Sequence, residues 1–258
     1  MNILQAAVLG IVEGLTEFLP VSSTGHLMIA SRLLGLGDSA FVKSFDIAIQ
    51  FGAILAVLVL YGAPAIRDRK LFTRISAAFI PTAVVGFVLY KLIKGYFLES
   101  VPLVAWSLLV GGVLILAFEY WAERRVQKPI GDIDSMSIRQ AVVVGAFQSL
   151  AVVPGVSRSA ATIIGGMISG ISREAIVRFS FLLAVPTMLA AAGYDLLKSA
   201  ASFGTGELAS LAVGFAVSFG VALLAVRWFT SFVSKHTFRP FAWYRIALGL
   251  LLLVFGVR

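Results

Sequence analysis

Long apolar runs with almost no charge dominate this chain, and they fix its solvent before any motif is read. Residues 75–90, 101–118, 179–194 and 208–226 contain no Asp, Glu, Lys or Arg, while 45–61 contains only Asp46 and 240–257 only Arg245. With modest extension each approaches the roughly 20 residues that a helix needs to cross about 30 Å of hydrocarbon. The chain is 59% hydrophobic and 13% charged, about half the roughly 25% charge of soluble domains, so a globule in water would leave much apolar surface wet. Such hydrophobicity excludes a disordered chain, and the absence of Cys excludes a disulfide scaffold. The net charge of +8 fits the loops of an integral membrane protein better than a phosphate-backbone footprint, so no nucleic-acid partner is expected.

Two other apolar regions are too short or too broken to span. Residues 1–12 and 18–31 are separated by Glu13 and Glu17, and the second begins with Leu19-Pro20; residues 140–170 are interrupted by Pro154-Gly155 and Arg158. Non-helical backbone at membrane depth is tolerated only where protein buries it or it lines a wet cavity, so both regions read as re-entrant helix-loop-helix hairpins. A shift of 135 positions superposes Gly10 on Gly145, Glu13 on Gln148, Leu15 on Leu150, Val21 on Val156 and Ser22 on Ser157. Each hairpin is followed by three spans. The expected fold is an all-α polytopic membrane protein with six transmembrane helices plus two re-entrant hairpins. It forms one membrane domain, 1–258, with pseudo-repeats 1–130 and 131–258. An odd number of spans per half gives an inverted-topology repeat whose two loops meet near the midplane.

Basic residues orient the chain. One set of loops holds Arg67, Arg69, Lys70, Arg74, Arg124, Arg125, Lys128, Arg139, Arg227, Lys235 and Arg239; the other holds Lys91, Lys94, Lys198 and the terminal Arg258. The richer side is expected to be cytoplasmic, with both termini outside. No basic n-region precedes the first apolar stretch, so no cleavable signal peptide is expected.

Ionisable groups at membrane depth are costly and point to function. Glu13 and Glu17, at i and i+4, share one helix face, where like charges repel unless a cation, a proton or an Arg intervenes; the alternative is a wet interfacial end. The run Val21-Ser22-Ser23-Thr24-Gly25-His26 resembles a helix start with a Ser cap, and a buried helix N-terminus offers free N–H groups to an anion. Pro154-Gly155-Val156-Ser157-Arg158-Ser159 repeats this design and adds a guanidinium suited to pyrophosphate. His26, one turn from Ser23, is placed as its base or as a proton donor to a leaving group. His236 reads as a loop residue, Glu119, Glu123 and Asp195 as interfacial, and Asp46 with Gln50 as a weaker supporting pair behind the site.

The string Glu13-Gly-Leu-Thr-Glu17-Phe-Leu-Pro-Val-Ser-Ser-Thr-Gly-His26, with Pro154-Gly-Val-Ser-Arg-Ser159, Thr162 and the stretch Phe181-Leu-Leu-Ala-Val-Pro186, resembles the bacterial undecaprenyl-pyrophosphate phosphatases often called BacA or UppP. The resemblance runs over essentially the full length. It implies hydrolysis of a C55 polyprenyl pyrophosphate in the bacterial plasma membrane, recycling the carrier for peptidoglycan synthesis and conferring bacitracin resistance. It also implies a divalent cation, Mg2+ or Ca2+, and a site facing the periplasmic or outer side. Carried over by position, Glu13 and Glu17 match the acidic, metal-binding motif. Ser22, Ser23 and His26 match the catalytic loop, and Ser157, Arg158 and Thr162 the second phosphate-binding loop; Thr24 and Ser159 join them as substrate-binding hydroxyls at the two helix starts. Ala160 departs from the family's usual Gly. Ser23 as nucleophile and a metal-activated water are both compatible with these residues. A secondary transporter or flippase of a polyprenyl phosphate is the rival reading, since midplane half-helices also occur there. The Gly and Ala of the spans permit a homodimer without demanding one.

Overall fold

The computed structural model describes residues 1–37, 39–92, 100–125, 131–199 and 207–256; Lys94, Lys128 and Arg258 lie outside them. Every regular element among the described residues is helical. In chain order these are α1 (Ile3–Thr16), α2 (Ser23–Leu33), α3 (Ala40–Val57), α4 (Ala63–Arg67), α5 (Arg69–Leu92), α6 (Val101–Arg125), α7 (Ile138–Gln148), α8 (Arg158–Ile168), α9 (Arg173–Ser199), α10 (Leu208–Val233) and α11 (Arg239–Phe255). A π turn, Leu58–Gly62, joins α3 to α4 without a break. Among the described residues four helices are long and apolar enough to cross a membrane: Phe41–Gly62, Arg69–Leu89, Val101–Arg124 and Leu208–Val233. The remaining two charge-poor runs fall in α9, with 27 residues, and α11, with 17. Large apolar side chains such as Phe87, Trp228 and Val254 face outward on these helices. That surface is stable only against lipid, as befits a multi-pass membrane protein.

Two helical hairpins, α1–α2 and α7–α8, interrupt the long helices. The first differs from the sequence expectation in one respect: α1 runs straight through Glu13 and ends at Thr16. Glu is a good helix former, so the break is set by the Leu19-Pro20 turn and not by the acidic residues. The hairpins share their fastenings at positions 135 apart. Asn2 and Gln5 form a capping box at the start of α1, and Ser137 and Gln140 form one at the start of α7. The amide of Gln5 then reaches across to the carbonyl of Leu34 (3.1 Å), and that of Gln140 to Ser169 (2.8 Å), so each cap also ties off the end of the returning helix. Gly35 and Gly170, with φ of 68° and 86°, supply the left-handed residues that follow.

Each hairpin leans on a long helix of the other half: α1 packs on α10 and α7 on α5, while α10 also packs on α3, α5 and α3 on α9, and α6 on α11. Close approach depends on glycine. A Cβ on Gly10 would lie 2.6 Å from the carbonyl oxygen of Gly214, and one on Gly145 would collide with the carbonyl of Ala78. At the ends rich in basic residues, Arg74 donates to the carbonyl of Asp134 (2.8 Å) and Arg239 pairs with exposed Glu123 (2.6 Å). Glu119, expected at the interface with water, is instead fully buried. It accepts two bonds from Arg173 (2.5 and 2.8 Å) and one from the backbone of Phe238 (2.7 Å). The carboxylate thereby ties α6 to the starts of α9 and α11. Gly145→Val should lower the melting midpoint in detergent, by about 1–3 kcal/mol of stability, because the Ala78 backbone cannot yield. Gly86→Val, at a position with open space around it, serves as control and should melt with the wild type.

Candidate active site

The tips of the two hairpins share a strained turn. Ser22 (φ 74°) and Ser157 (φ 72°) are the only non-glycine residues with left-handed backbone among those described, a conformation costing roughly 1–3 kcal/mol and kept only where surrounding structure enforces it. Each stands one residue ahead of a helix, so the turn aims the next side chain, Ser23 or Arg158, back into the space between the hairpins. Ser157 caps its helix through Ala160 N (3.3 Å). Ser22 makes no side-chain cap, although the sequence reads as one, and its hydroxyl stays available.

Glu17 joins the two loops. Its Oε2 accepts from the Ser23 hydroxyl at 2.5 Å and its Oε1 from Arg158 Nη2 at 3.1 Å, both pairs being largely shielded from solvent. Arg158 Nη1 is held by the carbonyl of Ser180 (3.0 Å), which leaves its Nε buried without a partner. Glu13 is fully buried, and neither of its carboxylate oxygens has a hydrogen-bond partner. Its charged neighbours are Glu17, Asp46 and Arg158. Both glutamates are therefore inside the protein, which overturns the reading of a wet interfacial end. Asp46, ranked low in the sequence, also buries an unpartnered oxygen.

The remaining candidates divide into two groups. Thr24 is exposed at the first helix start, and Ser159 is buried with its hydroxyl unpartnered. Thr162 is fully buried and donates to the carbonyl of Arg158 (2.7 Å), so it braces the turn beneath Arg158 instead of facing a ligand. His26 is not hydrogen-bonded to Ser23. Its Nδ1 lies 2.7 Å from the carbonyl of Ser22 and its Nε2 2.7 Å from the hydroxyl of Tyr244. The side chain that Ser23 bonds is the carboxylate of Glu17. His236 is exposed, as read from sequence; the side chain of Asp195 lies outside the described ones.

One residue was overlooked in the sequence. Arg245, fully buried within α11, donates to the carbonyls of Pro20 (3.3 Å), Gly155 (2.9 Å) and Ser107 (3.0 Å). Pro20 and Gly155 lie in the turns of opposite hairpins, so one guanidinium fastens both to α6. Its signal was present as the lone charge in residues 240–257, which the charge count treated as an interruption. Gly111 leaves the room it needs, since any Cβ there would strike the guanidinium.

The sequence matches the family model described as "Bacitracin resistance protein BacA" over residues 6–251. The chain belongs to this family. It is 50% identical to an undecaprenyl-diphosphatase of Aquifex aeolicus, covering 97% of each chain. It is 49% identical to one of Thermus thermophilus (98% and 97% covered) and 46% identical to one of Wolinella succinogenes (99% and 98% covered).

Among the described residues no cluster of three His, Cys, Asp or Glu forms a ready metal cage. The Glu13–Glu17 pair nonetheless fits a hard divalent cation, because Glu13 offers two oxygens with no other partner. Mg2+ in particular is held by one or two carboxylates and completes its shell with water and phosphate oxygens. Replacing Arg245 by Leu strips three buried carbonyls of their donor and should cost about 3 kcal/mol or more, read as a lower melting midpoint. Arg245→Lys should recover part of that loss, and an unchanged midpoint in Arg245→Leu would remove the clamp from the account.

Proposed function

We infer that the chain is an integral membrane phosphatase that hydrolyses undecaprenyl pyrophosphate to undecaprenyl phosphate and inorganic phosphate. The product re-enters cell-wall synthesis as lipid carrier, and the activity gives resistance to bacitracin. The observation that carries this reading is the Ser23–Glu17–Arg158 arrangement: a hydroxyl on a carboxylate, beside a guanidinium, at two helix starts. Anion passage alone does not require a nucleophile hydrogen-bonded to a base, so a transporter is not favoured.

Arg158 and the backbone N–H groups that open α2 and α8 receive the phosphate oxygens. The Ser23 hydroxyl attacks the terminal phosphorus and passes its proton to Glu17 Oε2. The new Oγ–P bond forms as the bridging P–O bond breaks, with the lipid monophosphate leaving. Water then attacks the phosphoserine and gives one proton to Glu17 as Glu17 returns the first to Ser23; the Oγ–P bond breaks, inorganic phosphate departs, and Glu17 releases its remaining proton to solvent. A Mg2+ or Ca2+ held by Glu13 with Glu17 would neutralise charge on the pyrophosphate. Positioning and electrostatics supply most of the acceleration in such transfers.

In this reading α3 with α4, α5, α6, α9, α10 and α11 are six spans, and the two hairpins are re-entrant. The matched caps and turns at positions 135 apart support two inverted pseudo-repeats, as does the exchange of partners, α1 on α10 and α7 on α5. The protein resides in the bacterial plasma membrane with its site toward the outer face, in keeping with the basic loops opposite.

Phosphate release from a polyprenyl pyrophosphate in detergent should be robust for the wild type and abolished by EDTA. Ser23→Ala should lower kcat by about 10³-fold or more; near wild-type turnover would sink the serine route in favour of a metal-activated water. Arg158→Lys should lose roughly 10²-fold, because a point charge replaces a bidentate fork.

A further inference from the structure

The imidazole of His26 is engaged at both nitrogens, and the two partners fix its protonation. Ser22 offers only a carbonyl oxygen, which accepts, so Nδ1 must carry the proton. A neutral imidazole then has a bare Nε2, and the Tyr244 hydroxyl 2.7 Å away donates to it. The rings stack 13° from parallel with centroids 5.5 Å apart. The bonds thus run from Tyr244 through His26 to the carbonyl of Ser22, whose left-handed backbone aims Ser23 at Glu17. With the opposite tautomer, Nδ1 would present a lone pair to that carbonyl and the brace would become a repulsion.

We propose that Tyr244 is a positioning residue for the reaction: its hydroxyl locks His26 in the Nδ1–H form, and the imidazole holds the Ser22 turn from which Ser23 attacks. Tyr244 itself does not touch Ser23, Glu17 or Arg158. The proposal rests on the phosphatase reading above and gives His26 a role other than proton transfer with Ser23. In sequence, a Tyr beside an Arg near one end of an apolar span passes for an interfacial aromatic.

Tyr244→Phe keeps the ring and its stack and removes only the donor. His236→Gln leaves His26 as the sole histidine, so ¹⁵N-histidine NMR of that background in micelles reports His26 alone. The expected spectrum is Nδ1–H with Tyr244 present, shifting toward Nε2–H in Tyr244→Phe. Alongside it, kcat should fall about tenfold, the scale of one hydrogen bond, with KM within twofold and an unchanged melting midpoint. His26→Ala added to Tyr244→Phe should lose far less than the two separate losses multiplied, since both act through one turn. An unchanged tautomer, or wild-type kcat in Tyr244→Phe, overturns the proposal. A wild-type protein that releases no phosphate would overturn the functional reading instead, and the tautomer comparison would still decide whether Tyr244 sets His26.

Discussion

Backbone that leaves its helix inside a protein has no water to bond, and the two buried hairpin turns persist because the protein supplies their partners. Arg245 is the main supplier. A guanidinium has five donors in a rigid fork, and here three carbonyls from two loops and α6 share it. Its burial would be prohibitive if those oxygens were satisfied elsewhere, and the loops would splay if it were absent. Charge and unpaired dipoles that are each costly alone offset one another. From that fastening follows the rest of the site, since Ser23 and Arg158 begin the helices that the clamped turns introduce.

The hairpins share a scaffold and divide the chemistry. Ser23 and Arg158 occupy matching positions, as do Glu13 and Gln148, and His26 and Ala161. One hairpin brings the Ser23 hydroxyl, the Glu17 carboxylate and the His26 ring; the other brings the Arg158 guanidinium. Gln148 is spent on structure, donating to Thr82 (2.9 Å) and Thr187 (3.0 Å). Those threonines follow Pro81 and Pro186, which lie inside α5 and α9 and leave interruptions in their backbone bonding. A Glu there would place a second buried charge among hydroxyls with no guanidinium beside it. The neutral amide satisfies the same positions without one.

The long helices were legible because hydrocarbon imposes a length and forbids charge, which a linear scan detects directly. The hairpins were legible for the opposite reason: Pro20 in the first, and Pro154 with Arg158 in the second, broke the apolar pattern. Contacts between distant segments left weaker traces. His26 lies one turn from Ser23 in sequence, which suggested a base, but Tyr244 sits far along the chain and takes the ring's second nitrogen. Thr162 fits a motif by spacing, yet its hydroxyl finds the carbonyl four residues back, a bond open to any helical Thr. Arg245 looked like a defect in a span because its three partners belong to segments the scan treats separately.

The charges of the site also bear on the divalent cation of the proposed mechanism. Arg158 is matched by Glu17, so the pair presents little net charge to an incoming anion. Glu13 adds a carboxylate, and Asp46 stands among its neighbours. With these carboxylates ionised, an entering pyrophosphate would be repelled, and the low dielectric would magnify the repulsion. In the proposed mechanism a divalent cation bound through the free oxygens of Glu13 would offset that repulsion and give this buried carboxylate a partner. Glu17 then keeps one oxygen for Ser23 and one for Arg158. In the proposed mechanism the acidic pair would together hold the cation, and Glu17 would in addition position the nucleophile.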